Sequence, residues 1–179
     1  MRPDHVVSLY LALEADGIRL WLMGGWGVDA LLGRQTRDHH DLDVLVEARS
    51  LERLCEQLRH FGFDFEYEWD EEAWWIEDPS WSRAEKLPTA FVYGHPDGRE
   101  IDVHVVRVED GGHVTTLWTV PYAITAAGLD GHGTVAAQPV RCLTAEMQRL
   151  AHIGYELPPH HLADLTLLSE APVSPVPPD

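Results

Sequence analysis

The chain predicts an α+β fold, with short helices and strands interleaved along its length. Three observations carry this. Val6, Leu9, Tyr10 and Leu13 recur at helical spacing near the start. In the strand over residues 100–108, Glu100, Asp102 and His104 alternate with Ile101, Val103 and Val105, the mark of a strand with one buried face. Between them, residues 20–46 pass through an apolar run, a glycine pair, an amphipathic segment closed by Gly33, a polar loop and a second apolar run. That order predicts strand, turn, short helix, loop and strand.

Size and charge bound the function. A chain of 179 residues, 45% apolar, is long enough for about one domain with a small helical addition. No apolar stretch reaches the roughly 18 residues of a membrane span. Residues 1–5 lack the basic-then-apolar order of a signal peptide. Two cysteines, Cys55 and Cys142, fit a reducing cytoplasm better than a disulfide scaffold. Thirteen basic against thirty acidic residues give a formal charge of −17, which repels nucleic acid and either attracts a polycationic small molecule or serves solubility alone.

The remaining elements follow in order. Residues 3–16 form a helix stopped at Gly17. Ser50 is placed to cap a helix with Leu51, Leu54, Cys55 and Leu58 inward and Gly62 at its end. Residues 63–70 alternate as a half-buried strand, Phe63, Phe65, Tyr67 and Trp69 inward, Asp64, Glu66, Glu68 and Asp70 outward. Residues 78–88 form a loop. Residues 89–93 and 100–108 are strands joined by a turn at 94–98. Residues 114–128 show no clear period. Gly131 and Gly133 mark a turn before short strands at 134–137 and 140–142. Thr144 caps a helix that ends at Gly154, and Pro158-Pro159 opens another to Glu170. The proline-rich segment 171–179 predicts a disordered tail.

The chemistry sits in the second strand of the central stretch. Asp41 and Asp43, two residues apart, share one face of a strand. Two carboxylates that close call for a cation, and hard oxygen donors suit Mg²⁺. Gly24 and Gly25 bare the backbone where amide N–H groups at a helix start meet an anion. Arg37 is a cation for a phosphate oxygen, or a surface loop residue. Asp102, in the later strand, completes a three-carboxylate cluster if its strand lies beside Asp41 and Asp43. Glu66 and Glu68 are candidate receivers of ammonium groups on an acceptor, or simply a solvated edge. Tyr155 lines a pocket or packs after a glycine stop. His39, His40 and Asp41 lack the usual spacing of a zinc site.

Gly24-Gly25-Trp26-Gly27, Asp29, Gly33-Arg34, Thr36-Arg37-x-His39-x-Asp41-x-Asp43, Ile101-Asp102, Arg141-Cys142-Leu143, His152-x-Gly154-Tyr155 and Asp164 together resemble the small antibiotic nucleotidyltransferases. These are the aminoglycoside 2″-adenylyltransferase and lincosamide nucleotidyltransferase group of the polymerase-β-like superfamily. His40 stands where that family often carries an acidic residue. The resemblance implies a mixed sheet with flanking helices, a nucleotidyltransferase domain over residues 1–142 and a C-terminal helical part over 143–170. It implies transfer of a nucleoside monophosphate from a nucleoside triphosphate to a hydroxyl of an aminoglycoside or lincosamide, with release of pyrophosphate. Asp41 and Asp43 would hold Mg²⁺, Gly24 and Gly25 would meet the triphosphate, and Asp102 would be a metal ligand or the base. A homodimer would help a chain this small wall its acceptor cleft. Two other expectations remain open: a non-catalytic, antitoxin-like nucleotide binder of the same fold, and a nucleotidyltransferase acting on a protein side chain.

Overall fold

A computed structural model describes residues 1–153 and 156–170. Its helices are α1 (Pro3–Ala15), α2 (Gly24–Leu32), α3 (Leu51–His60), α4 (Ala145–Leu150) and α5 (Pro159–Glu170). Its strands are β1 (Leu20–Leu22), β2 (Asp41–Glu47), β3 (Asp64–Glu68), β4 (Trp75–Ile76), β5 (Leu87–Pro88), β6 (Ala90–Gly94), β7 (Glu100–Val108), β8 (Val114–Thr116), β9 (Gly131–Val135) and β10 (Gln138–Cys142). The main sheet runs β3-β6-β7-β2-β1-β10-β9, with β8 added to β7. β2 pairs parallel with β7 and β1 parallel with β10, while the other pairs are antiparallel, so the sheet is mixed as expected.

Strand alternation sorts side chains into two cores. Leu20, Leu22, Leu42, Val44 and Val46 face one cluster with Leu9 and Leu13 of α1, Trp26 of α2 and Leu54 and Leu58 of α3. Trp21 and Leu45 face the other, with Val106, Trp118, Ile124, Leu129, Leu143 and Met147. Asp41 and Asp43 are in phase with Leu45, so they stand on the second face. That face ends in a cleft where the first is closed by helices. α4 and α5 fold back onto α2 and flank the cleft.

Several local expectations change. Ser50 makes no capping bond, because α3 is entered through a 3-10 turn over Ala48–Ser50 that holds Ser50 in helical geometry. Segment 63–70 is not half-buried along one face. It is an edge strand, and Phe65, Tyr67 and Trp69 are exposed. A bulge between Phe65 and Tyr67 sets Phe65 opposite Tyr93 and Tyr67 opposite Val92, so the two rings lie on opposite faces. Loop 78–88 ends in the strand pair β4–β5, and Trp81 within it is buried, its indole donating to Ala48 O at 2.9 Å.

Gly131 and Gly133 do not turn the chain. They lie inside β9, where a side chain at Gly133 would meet the α2 backbone, 2.8 Å from Leu31 N. The turn is at Ala136-Ala137, both left-handed (φ 47° and 66°). The Thr144 hydroxyl does cap α4, accepting from Met147 N. The helix stop at Gly154, the pocket role of Tyr155 and the disordered tail at 171–179 concern residues outside those described.

Candidate active site

Two central strands deliver the acids. Asp43 and Asp102 are direct register partners across the parallel β2–β7 pair, and Asp41 sits one pleat away on the same face. Burial, then the charges of Asp41 and Asp102, push the Asp43 carboxyl well above the usual carboxylate range. Burial also raises Asp102, partly offset by His104 and by a hydrogen bond from Trp69. The Trp69 indole Nε1 donates to Asp102 Oδ1 at 3.2 Å, and His104 Nδ1 lies 3.5 Å from the same oxygen.

The glycine pair is shaped by these neighbours. Gly24 opens α2 with φ 55°, and a Cβ there would overlap Asp43 Oδ2 and lie 2.7 Å from its carboxyl carbon. A Cβ on Gly25 would lie 2.6 Å from the Arg37 guanidinium. The start of α2, the carboxylates and Arg37 therefore meet in one place, and only glycine lets them approach so closely.

Loop 33–40 is held from both sides. Asp29 of α2, fully buried, accepts from Thr36 N at 3.0 Å and Thr36 Oγ1 at 2.5 Å, and bonds His39 Nε2 at 2.5 Å. His39 stacks on Trp26 with ring centroids 4.6 Å apart. It thus orders the loop through Asp29 rather than orienting a cluster carboxylate. Arg37 is not a lone phosphate cation: both oxygens of buried Asp164 on α5 take its guanidinium, at 3.3 and 2.9 Å. Its side chain keeps 27% exposure and still lines the cleft.

The cleft measures about 770 Å³. Gly24, Gly25, Arg37, Asp41, Asp43 and Asp102 line it together, as do Trp69, Glu72, Trp118, Tyr122 and the histidines His152, His160 and His161. Burial and the two neighbouring histidines push His161 down to about 4, so it stands neutral near pH 7. Glu66 and Glu68 do not line the cleft; Glu72 is the carboxylate of that segment that does. Among the described residues, no three His, Cys, Asp or Glu side chains converge as a preformed metal cage. Mg²⁺ needs no such cage, since it takes one or two carboxylates and finishes its shell with water and phosphate oxygens. The Asp41–Asp43 pair, repelling and part-buried, fits that donor chemistry.

Sequence reasoning missed Trp69, His104 and the 118–122 wall. The Asp102–His104 alternation was the one available signal. The bulge that precedes Trp69 leaves no mark in the pattern.

The chain is similar to known proteins in sequence and in fold. The lincosamide resistance protein of Staphylococcus haemolyticus is 26% identical over 164 residues, covering 86% of this chain and 83% of that protein. A 2″-aminoglycoside nucleotidyltransferase of Escherichia coli is 32% identical over 85 residues, 40% of this chain and 48% of that protein. The lincomycin-bound crystal structure of the lincosamide antibiotic adenylyltransferase LnuA superposes with a TM-score of 0.74 at 23% identity, covering 93% of this chain and 96% of that one. The structure of ANT(2″)-Ia in complex with adenylyl-2″-tobramycin gives 0.69 at 21% identity, covering 93% and 86%. Both structural likenesses show the same fold. The model of the aminoglycoside-2″-adenylyltransferase family matches residues 5–168, and the chain belongs to that family of antibiotic nucleotidyltransferases.

Proposed function

We propose that the protein transfers a nucleoside monophosphate from a nucleoside triphosphate to a hydroxyl of an amine-bearing antibiotic, releasing pyrophosphate. The observation that carries this is the Asp43–Asp102 register pair, with Asp41 beside it, facing the bare start of α2 across one cleft.

The acceptor oxygen attacks the α-phosphorus, a new P–O bond forms, and the bond to the β-phosphate oxygen breaks as pyrophosphate leaves. Asp102, its basicity raised by burial, takes the hydroxyl proton. Gly24, Gly25 and the N–H groups at the start of α2 receive the phosphates, and Arg37, oriented by Asp164, adds charge at the same wall. Asp41 and Asp43 would hold Mg²⁺, which supplies neutralisation of the triphosphate charge when bound. Cleft carboxylates Asp38, Asp41, Asp43, Glu72 and Asp102 outweigh the single arginine and favour a cationic acceptor. Glu66 and Glu68, outside the cleft, act at most on approach. Among the described residues no helix is long and apolar enough to cross a membrane, in keeping with a cytoplasmic role.

The test is pyrophosphate release with Mg²⁺, each of the four nucleoside triphosphates and a panel of aminoglycosides and lincosamides. Release with at least one amine-bearing acceptor, and acceptor affinity that weakens with salt, is expected. No release with any pairing defeats the proposal. Sedimentation of the active species reports whether a homodimer is needed.

A further inference from the structure

Two side chains, Trp69 and His104, meet the Asp102 carboxylate at one of its oxygens. The first holder is Trp69, just past the end of β3. Its backbone is pinned: its N–H donates to Ala90 O at 3.0 Å, and its carbonyl accepts from Glu72 N at 2.8 Å and Ala73 N at 2.7 Å. Its ring packs edge-on against Tyr67, centroids 5.5 Å apart. From this fixed corner the indole N–H reaches Asp102 Oδ1. The second holder is His104, two residues along β7 on the same face. Its ring rests on buried Trp118, centroids 4.9 Å apart, and its buried Nδ1 makes no hydrogen bond but lies 3.5 Å from Asp102 Oδ1, an electrostatic contact.

Both side chains address the same oxygen, Trp69 by a hydrogen bond and His104 by close electrostatic approach. A carboxylate free to rotate offers either oxygen to an incoming hydroxyl and spends time in useless orientations. One whose Oδ1 is hydrogen-bonded by Trp69 and flanked by the His104 ring presents Oδ2 in a preferred orientation. We infer that Trp69 and His104 are positioning residues that fix the Asp102 carboxylate through Oδ1 and reserve Oδ2 for the acceptor's hydroxyl proton.

This rests on the proposed reaction for its role but not for its geometry, so the test has two arms. The first needs no turnover. In ¹⁵N-labelled protein the Trp69 indole N–H resonance is identified by its loss in Trp69→Phe. Asp102→Ala is expected to shift that resonance; an unmoved resonance overturns the inference whatever the enzyme does.

The second arm is kinetic. Trp69→Phe keeps the aromatic ring and removes the N–H. It is expected to lower kcat roughly tenfold while KM for nucleotide and acceptor stays within about twofold. His104→Leu is expected to do the same. His104→Asn, which keeps an N–H near the Nδ1 position, restores kcat to within about threefold of wild type. A Trp69→Phe enzyme with unchanged kcat, or with a raised KM alone, overturns the inference while leaving the proposed function standing. A wild-type protein that releases no pyrophosphate defeats the proposed function, and the resonance shift then decides the contact by itself.

Discussion

Gly24→Ala separates backbone strain from collision at the heart of the site. Gly24 sits at φ 55°, where an L-residue costs about 1–2 kcal/mol more than glycine. Its added methyl would also overlap Asp43 Oδ2, which backbone pairing on both sides of β2 prevents from retreating with its strand. The side chain must rotate instead, and that moves one of the three carboxylates that line the cleft on neighbouring strands. Gly98 provides the control. It has φ 86°, lies in the β6–β7 turn, and a Cβ there would have nothing within 4 Å.

Both substitutions therefore carry the strain, and only Gly24→Ala carries the collision. In a domain of this size each kcal/mol lowers Tm by roughly 2–4 °C. Calorimetry should show Gly98→Ala down by a few degrees with full activity. Gly24→Ala should fall at least as far in Tm and lose about 100-fold or more in kcat/KM, a cost of about 2.7 kcal/mol in the transition state. A Gly24→Ala enzyme within threefold of wild type would show that the Asp43 carboxylate has freedom to spare, and the account of the glycine pair would fail.

Other expectations follow from the same coordinates. The folded-state pKa of Asp43 lies above its unfolded value, so the native state loses stability as pH rises through the window between them. Asp43→Asn, neutral throughout, should raise the Tm of metal-free protein at neutral pH, by an amount that shrinks toward the ordinary carboxylate range, while abolishing turnover; a lower Tm at neutral pH would contradict the repulsion. Asp102→Asn should remove activity with Tm at or above wild type at neutral pH, since burial also raises this carboxyl, measured by pyrophosphate release and melting in parallel. Asp164→Ala frees Arg37 and should raise nucleotide KM about tenfold at a stability cost of about 1–3 kcal/mol, read from kinetics and denaturant titration. Burial pushes the thiols up, Cys55 to about 11 and Cys142 to about 12, so neither should react with a disulfide reagent near pH 8 until the chain unfolds.

The parts of this fold that the sequence announces are those where local pattern and global packing agree. Segments 41–46 and 100–108 sit in the sheet interior, where one face must be apolar, so alternation survives and puts Asp41, Asp43 and Asp102 in phase. What alternation does not contain is which strand lies beside which: the Asp43–Asp102 pairing joins residues far apart in the chain. β3 misleads because an edge strand has no second layer to enforce its pattern, and one bulged residue reverses every face after it. Ala136-Ala137 misleads because left-handed turns favour glycine and asparagine, yet the close approach of β9 to α2 reserves the glycines for the strand. The wall from Trp118 to Tyr122 carries no period, being loop in form, with Trp118 buried and Val120 and Tyr122 packed partly against the second core while Thr119 and Pro121 are exposed.

The C-terminal helices matter to this site as much as the sheet does. Asp164 on α5 is all but buried, and the guanidinium it holds belongs to a loop whose other contacts, Thr36 and His39, run to Asp29 on α2. Met147 of α4 is packed with Trp21 and Leu45 on the acid-bearing face of the sheet. The cleft that Asp41 and Asp43 line is also lined by His152, His160 and His161, from the same C-terminal stretch. The segment after Cys142 thus completes three things: the second core, the clamp on Arg37 and the lining of the cleft. A chain ending at residue 142 would expose the first, loosen the second and open the third to water. The division between sheet and C-terminal helices therefore marks a change of secondary structure, while the cleft is lined from both.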